Sequence, residues 1–384
     1  MNIGIAALGR VSEDTGGKNY ILHFLSELSN QTARHHFTLF LSSGEQAKLG
    51  IERSHWLRII EIPNSNATPL HKVIAEQLRL PGYIRHEKID VMYYPGNFIS
   101  LFSRVPSVVN IRAVAHCYGK QYGIRGVRRI IRSLLMPSGA RKAKAIVTPS
   151  EDIKQDVVRF MRVSEAKIHV IPHGVDVSIF DGEKNRADPE SLDVLNTFGL
   201  RSGEYLLYVS ALWRYKNQDK LIRAHAELLR SHPELKLVLA GKGTGTDSNY
   251  LQEIHSLPQQ LGAADRVVFT GALGQHQLRY LYAHARAFVF PSAYESFGNP
   301  IFEAWASGIP LATSNVHSFP EIVQDAGLLF SLEDISEMTS TIEQLLSDRA
   351  LCAELIARGH DRARKFTWES CVRRTLSLVE GVIP

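Results

Sequence analysis

The sequence predicts an α/β protein built from two doubly wound domains. Short apolar runs rich in β-branched and aromatic residues alternate with amphipathic helical stretches along nearly the whole chain. Strict alternation means helical crossovers, parallel pairing and sheets covered on both faces. The 384 residues also exceed one ordinary core, since domains run about 100–200 residues.

In the first half, Met1 to Leu8 reads as a strand. Lys18 to Ser29 reads as a helix, with Ile21, Leu22, Phe24, Leu25 and Leu28 on one face. Phe37–Leu41 and Leu57–Ile62 are strands, and Lys72–Leu80 and Gly82–His86 are helical. Val91–Tyr94, Ser107–Ile111 and Ala145–Pro149 are strands, a helix starts at Ser150, and Lys167–Pro172 ends the unit.

The second half alternates more cleanly. Strands are expected at Tyr205–Ser210, Leu235–Ala240, Val267–Phe269, Ala287–Phe290, Pro310–Thr313 and Gly327–Phe330. Between and after them, helices are expected at Asp219–Arg230, Tyr250–Leu261, Gln275–Ala285, Pro300–Ser307, a short one closing at Val323, and Ile335–Leu346. The domains are therefore 1–172 and 204–365, joined by a linker over 173–203, where Asp181 to Glu190 is polar and lacks apolar periodicity. Two such sheets facing a central cleft bring their strand carboxyl ends, where ligands bind, to one place.

Composition narrows the class. An apolar fraction of 44% and a charged fraction of 22% suit a soluble globular chain. No run of about 18 apolar residues is present to span a membrane. The opening segment reads as a strand rather than a leader. Three scattered cysteines, Cys117, Cys352 and Cys371, argue for a reducing compartment and against a disulfide or zinc framework. The net charge of +5 is uneven: from Asp90 to Glu151 no acid intervenes, while ten basic residues run from Arg104 to Lys144. Such a block suits an anionic membrane, a phosphorylated substrate or a solvated face. Nucleic acid is not expected, since no zinc-finger, RNP or stacking array accompanies it. Within the block, Val127, Ile131 and Leu134 are expected on a helix face opposite Arg125, Arg128, Arg129 and Arg132, a pattern that can lie among lipid headgroups.

The chemistry concentrates between Pro291 and Pro310. A strand ends at Phe290, a loop carries Gly298, and a helix starts with Asn299 at the cap and Pro300 at the first position. Gly298 lets backbone approach a ligand, and the helix start favours an anion such as phosphate. Glu295 and Glu303 flank this nest. Either acid alone reads as a solvated residue or a dipole partner. Both together would repel a phosphate unless they bind hydroxyls, which points to a nucleotide-sugar.

The segment resembles the E-x7-E region of the retaining family-4 (group 1) glycosyltransferases. It fits at Pro291, Ser292, Glu295, Phe297, Gly298, Pro300, Glu303, Ala304, Ala306, Gly308 and Pro310. Other stations of that family are similar and in order: Thr15–Asn19, Val147–Ser150, Ile171–Asp176, Leu239–Gly243, Phe269–Gly271 and Phe366–Glu369. The resemblance covers essentially the whole chain and implies the GT-B fold. The first domain would take the acceptor side and the second the nucleotide-sugar, with the helix over 366–384 packing back on the first.

Carried over by resemblance, Glu295 contacts the transferred sugar and Glu303 the ribose. Backbone of Phe297, Gly298 and Asn299 holds the donor phosphates, Gly16 and Gly17 face the same diphosphate, and Thr270 and Gly271 lie near the base. Each glycine also reads as a plain turn residue. Lys216 matches the family's lysine before Asn, and stabilises the leaving diphosphate. Many relatives place an arginine five residues earlier, where this chain has Ala211, so Arg214 is the expected substitute. Both also read as solvated loop residues. Where many relatives have His-Asp, this chain reads Arg112-Ala113, and His116 follows four residues on. His116 either lines the acceptor side or starts a helix without contact, and Arg112 is a candidate for donor or acceptor phosphate. His35, His36 and His173 read as structural or solvated.

The chain has no Asp-x-Asp spacing, which fits a metal-free site with no cofactor. The loop Ser210–Asn217 resembles mannosyl- and rhamnosyl-type members, hence a GDP-sugar donor, with a UDP-sugar as the alternative. The implied acceptor is a glycan or polyprenyl-lipid-linked sugar of surface polysaccharide or lipopolysaccharide synthesis, and the implied place the cytoplasm, peripheral on the inner membrane face. A nucleotide-sugar 2-epimerase and a non-catalytic sugar-nucleotide-binding module are the competing classes.

Overall fold

A computed structural model describes residues 1–9, 11–13, 15–30, 35–63, 68–119, 126–243 and 248–383. It divides into two compact units. One takes in the described residues up to Gly174 and those from Thr367 on; the other is Val175–Phe366.

The first unit is built on β1 (Asn2–Ala7), β2 (His36–Ser42), β3 (Leu57–Ile62), β4 (Val91–Tyr94), β5 (Ser107–Asn110), β6 (Ala145–Thr148) and β7 (Ile168–Val170). They pair in the order β3-β2-β1-β4-β5-β6-β7, every pair parallel. Ile3 on the central β1 lies opposite Phe37 on one side and Val91 on the other. Strands β4, β5 and β6 are buried along their whole length, as helices on both faces require. The helix Trp368–Gly381 belongs to this unit and packs on the helix Thr15–Leu28. Thr367 caps it by accepting the Ser370 N–H (3.1 Å), and the Trp368 ring lies 5.4 Å from Tyr20 and 5.2 Å from His23.

The second unit holds β8 (Tyr205–Val209), β9 (Lys236–Ala240), β10 (Val267–Gly271), β11 (Ala287–Phe290), β12 (Leu311–Ser314) and β13 (Leu328–Phe330). Their order is β10-β9-β8-β11-β12-β13, again all parallel. Both sheets grow to one side from their first strand and then reverse, at β1/β4 and at β8/β11. At such a switch point neighbouring crossovers leave in opposite directions and open a crevice at the strand carboxyl ends.

Several elements differ from expectation. The stretch taken as linker folds into the helices Gly182–Ala187 and Glu190–Thr197, which pack on the helix Gln275–His284 of the second unit. Asp181 caps the first by accepting the Lys184 N–H (3.0 Å), while Phe180, Val194, Leu195 and Leu200 are buried in the core. Few apolar anchors serve each short helix, so the stretch lacks a readable period. A further helix, Arg349–Ala363, follows Ile335–Ser347. Between the helices Pro69–Ile74 and Leu80–His86 the chain takes a π-helical turn, Ala75–Arg79.

Candidate active site

The second unit's switch point gathers the strongest sequence candidates. The loop after β8 makes a 3-10 turn, Arg214–Lys216, closed by the Lys216 N–H on the Trp213 carbonyl (2.8 Å). Asn217 then takes the left-handed conformation (φ 55°) and leads into the helix Gln218–Leu228. Two bonds tie this loop to the one after β11: Asn217 Nδ2 donates to the Pro291 carbonyl (2.8 Å), and the Ala293 N–H to the Tyr215 carbonyl (2.8 Å). Across that joint Lys216 Nζ forms an ion pair with Glu295 Oε1. The lysine is 6% exposed, and its ammonium lies 4.9 Å from the Tyr215 ring and 5.7 Å from the Phe290 ring. A buried ammonium needs such partners, because unpaired desolvation of a charge is costly. Ser318 fixes the acid's backbone by donating to the Glu295 carbonyl (3.0 Å). The result is a positive and a negative group held together at the crevice.

The helix beyond the loop, Asn299–Ala306, starts one residue earlier than expected. Gly298 is the cap, in the left-handed conformation (φ 78°), with Asn299 and Pro300 opening the helix. Its first internal bond runs from the Ile301 N–H to the Gly298 carbonyl (2.9 Å). Ahead of that bond the helix start offers the Asn299 N–H, since Pro300 has none. The Phe297 side chain is buried, stacked on Phe302 at 4.6 Å and edge-on to Phe366 at 5.9 Å. Glu303 is partly buried beside Tyr282. Burial pushes its carboxyl up to about 7. The Tyr282 hydroxyl draws it down, although it falls short of hydrogen-bond geometry.

Arg214 is turned elsewhere. Its guanidinium pairs with Glu253 (2.9 Å) and lies 4.6 Å from the Tyr250 ring, both on the helix Ser248–Gln260. Thr270 and Gly271 end the edge strand β10, two strands from β8. Gly241, at the end of β9, donates to the Gly271 carbonyl (2.9 Å), and a Cβ there would lie 1.9 Å from the Ser210 carbonyl oxygen. Only glycine fits. Sequence reasoning missed Tyr215 and Phe290 beneath the ammonium and Ser318 behind Glu295. The two rings stand beside motif residues already singled out. Ser318 comes from a separate loop that carries no signal.

In the first unit, Gly16 is exposed and Gly17 buried at the start of the helix Thr15–Leu28. Arg112 Nη1 donates to the Gly16 carbonyl (3.2 Å), and the Arg112 N–H to Asn97 Oδ1 (2.8 Å). His116 is buried in the turn Ala115–Cys117. Burial, then Arg132 and Arg129, lowers its pKa to about 4, so the ring is neutral near pH 7. His173 is also buried, and burial followed by Arg112 lowers it to about 3.

The basic helix Gly126–Lys142 has a different sidedness from that expected. Arg129 Nε donates to the His116 carbonyl (3.3 Å), and Arg132 lies 5.7 Å from the Phe98 ring. Ile130 and Leu134 are instead exposed, at 61% and 65%. The long guanidinium stems reach partners in the unit, which turns these apolar residues outward. Arg125 and the side chains of Val127 and Arg128 lie outside the described residues.

Comparisons with known proteins converge. The model "Glycosyl transferases group 1" matches residues 200–362, and "Glycosyltransferase Family 4" matches residues 15–179. O-antigen chain mannosyltransferase B of Escherichia coli is 31% identical over 236 residues, 61% of this chain and 60% of that protein. D-inositol 3-phosphate glycosyltransferase of Acidothermus cellulolyticus is 30% identical over 323 residues, 80% of this chain and 70% of that protein. The chain thus spans about 60% of the length of the Escherichia coli relative. Among solved structures, Anabaena HepE in complex with UDP and glucose superposes with a TM-score of 0.78 at 18% identity, covering 99% of this chain and 100% of that one. WaaG, a glycosyltransferase involved in lipopolysaccharide biosynthesis, gives 0.74 at 14%, covering 99% and 100%. At these identities the likeness is one of fold, and the fold is GT-B.

Proposed function

Because the chain belongs to the family-4, group 1 glycosyltransferases, we propose that it is a retaining, metal-independent hexosyltransferase. It moves mannose or a related deoxyhexose from a nucleotide-sugar to a glycan or polyprenyl-linked acceptor in surface polysaccharide or lipopolysaccharide synthesis. The observation that carries this reading is the Lys216–Glu295 pair at the β8/β11 switch point, beside a helix start suited to phosphate.

In the reaction, the bond from the anomeric carbon to the diphosphate oxygen breaks, and the acceptor oxygen bonds to that carbon on the same face. The acceptor proton passes to an oxygen of the departing diphosphate, so no side-chain base is needed. Lys216 opposes the charge that develops on the diphosphate, the role of a preorganised cation. Glu295 holds sugar hydroxyls, and Glu303 the ribose. Arg214 joins Lys216 only by leaving Glu253, an exposed pair worth roughly 0.2–1 kcal/mol. Thr270 and Gly271 flank the base.

The similarity to an O-antigen mannosyltransferase and the Ser210–Asn217 loop support a GDP-sugar. The UDP held by the similarly folded HepE supports the second reading, a UDP-sugar. The site is assigned to the cytoplasmic side, peripheral on the inner membrane face. No helix among the described residues is long and apolar enough to cross a membrane, and exposed Ile130 and Leu134 on a basic helix suit anionic headgroups.

The test is nucleotide release from GDP-mannose, GDP-rhamnose, UDP-glucose and UDP-N-acetylglucosamine, with and without a polyprenyl-linked glycan acceptor. Acceptor-dependent release that is nearly abolished by Glu295→Ala supports transfer. Conversion of the nucleotide-sugar without acceptor indicates an epimerase, and binding with neither reaction a non-catalytic module.

A further inference from the structure

The loop that carries Lys216 runs from the end of β8 to the helix Gln218–Leu228, and the first residue of that helix closes it. Gln218 is 0% exposed. Its Nε2 donates to the Ala211 carbonyl (3.1 Å) and to the Tyr208 hydroxyl (2.9 Å), and its Oε1 accepts from the Tyr250 hydroxyl (2.8 Å). Both amide protons are therefore used, and the oxygen has a partner as well. Three elements meet on this one side chain: β8 through Tyr208, the loop through Ala211, and the helix Ser248–Gln260 through Tyr250.

The amide serves the loop rather than its own helix. Asn217 and Gln218 stand where a side chain ordinarily caps the free N–H groups of a helix start, yet this start has no side-chain cap. Asn217 reaches the Pro291 carbonyl instead, and Gln218 the Ala211 carbonyl. Along the chain Lys216 lies between these two ties, in the turn Arg214–Lys216. The Tyr208 ring, whose hydroxyl the amide holds, lies 5.9 Å from the Phe290 ring, and Phe290 lies 5.7 Å from the Lys216 ammonium. The same amide thus fixes the backbone before Lys216 and the ring stack beneath it. A satisfied buried polar network is rigid, and a charged group at a site has to be held to within about 0.5 Å.

We propose that Gln218 is a positioning residue: its amide sets the span of the loop from Ala211 to Asn217 and so holds Lys216 against Glu295, without itself touching a substrate. Removing the amide takes that donor from the Ala211 carbonyl and the Tyr208 hydroxyl, and the loop gains slack on the side of Lys216. Tyr250 keeps a second acceptor, Asp219 Oδ1 at 3.0 Å, so its helix stays in place. Tyr208→Phe is the matching control, since it removes one acceptor of the amide and leaves the tie to Ala211. The proposal rests on the transferase reading only where a nucleotide is the probe.

The test measures the coupling between Lys216→Met and Glu295→Gln, the amount by which the double variant's loss of stability falls short of the two single losses summed. Calorimetric unfolding of the full chain reads it without any ligand, in the wild type, in Gln218→Met and in Tyr208→Phe. The coupling should fall by about half or more in Gln218→Met and keep its wild-type size in Tyr208→Phe, although both changes lower Tm. A purely structural role would lower Tm and leave the coupling alone. GDP and UDP are titrated into the same proteins. Gln218→Met should weaken nucleotide binding about fivefold in the wild type, and less than about twofold in a Lys216→Met background, because it acts through the lysine. Should Gln218→Met fail to fold, Gln218→Asn, one methylene too short for the Ala211 carbonyl, is held to the same outcomes. An undiminished coupling, or equal weakening of nucleotide binding in both backgrounds, would overturn the proposal. A reduced coupling in a protein that binds neither nucleotide removes the transferase reading and leaves the positioning role standing.

Discussion

Replacing Lys216 by Met strands the Glu295 carboxylate. The two side chains are 8% and 20% exposed, between a fully buried pair, where removing one partner costs about 3–5 kcal/mol, and a surface pair worth roughly 0.2–1 kcal/mol. Water reaches Glu295 on its open side and recovers part of its solvation, so the expected loss is about 1–3 kcal/mol. In a domain of this size each kcal/mol lowers Tm by roughly 2–4 °C, so the second unit should melt about 2–12 °C lower. Glu295→Gln leaves the more deeply buried Lys216 unpaired and should cost at least as much. The double variant leaves neither charge exposed to an apolar environment, so it should lose less than the two single changes summed, with a coupling of about 1–2 kcal/mol. Differential scanning calorimetry on the four proteins closes the cycle. Additivity within about 0.3 kcal/mol would show that the pair is not formed in solution and refute the reasoning.

Transfer should survive excess EDTA, because Lys216 supplies positive charge and the chain lacks Asp-x-Asp; loss restored by Mg²⁺ or Mn²⁺ counts against it. Glu303 is held at about 7 against an ordinary value of 4.5, so the folded state binds its proton more tightly than the unfolded one. Its contribution is fully present below about pH 4.5 and is lost as pH rises through about 7. Glu303→Gln should flatten that slope and stabilise the fold at pH 8 by about 1–3 kcal/mol, measured by urea unfolding across the range. Gly298→Ala puts a Cβ 3.1 Å from Phe319 Cε1 at φ 78°, and should cost about 1–3 kcal/mol with a matching loss of donor affinity. Ile130→Ser with Leu134→Ser should reduce co-sedimentation with anionic liposomes at low salt, and unchanged binding would remove these residues from the membrane account.

Both sheets were legible because parallel strands buried on two faces are continuous apolar runs: Val91–Tyr94, Ala145–Thr148 and Ala287–Phe290 read directly. Strand order was not readable, since it depends on which crossover turns left or right of β1 and β8. The candidate site was legible where one loop carries its own signals, as Glu295, Gly298 and Pro300 do. It was obscure where a residue's role depends on a distant partner. Arg214 was the expected substitute for an arginine at the place of Ala211, yet it pairs with Glu253, nearly forty residues on. Arg129 and Arg132 read as a lipid-facing or solvated stripe, because the His116 carbonyl and the Phe98 ring beside them lie on other segments. The turn Ala75–Arg79 gave no signal, since a helix period does not reveal π-helical winding.

The most direct measurement is isothermal titration of GDP and UDP into the wild type, Lys216→Met and Gly298→Ala. Saturable binding of at least one nucleotide by the wild type is expected, weakened about tenfold or more in each variant. Equal affinity in all three proteins would place the nucleotide away from the β8/β11 switch point and contradict the account.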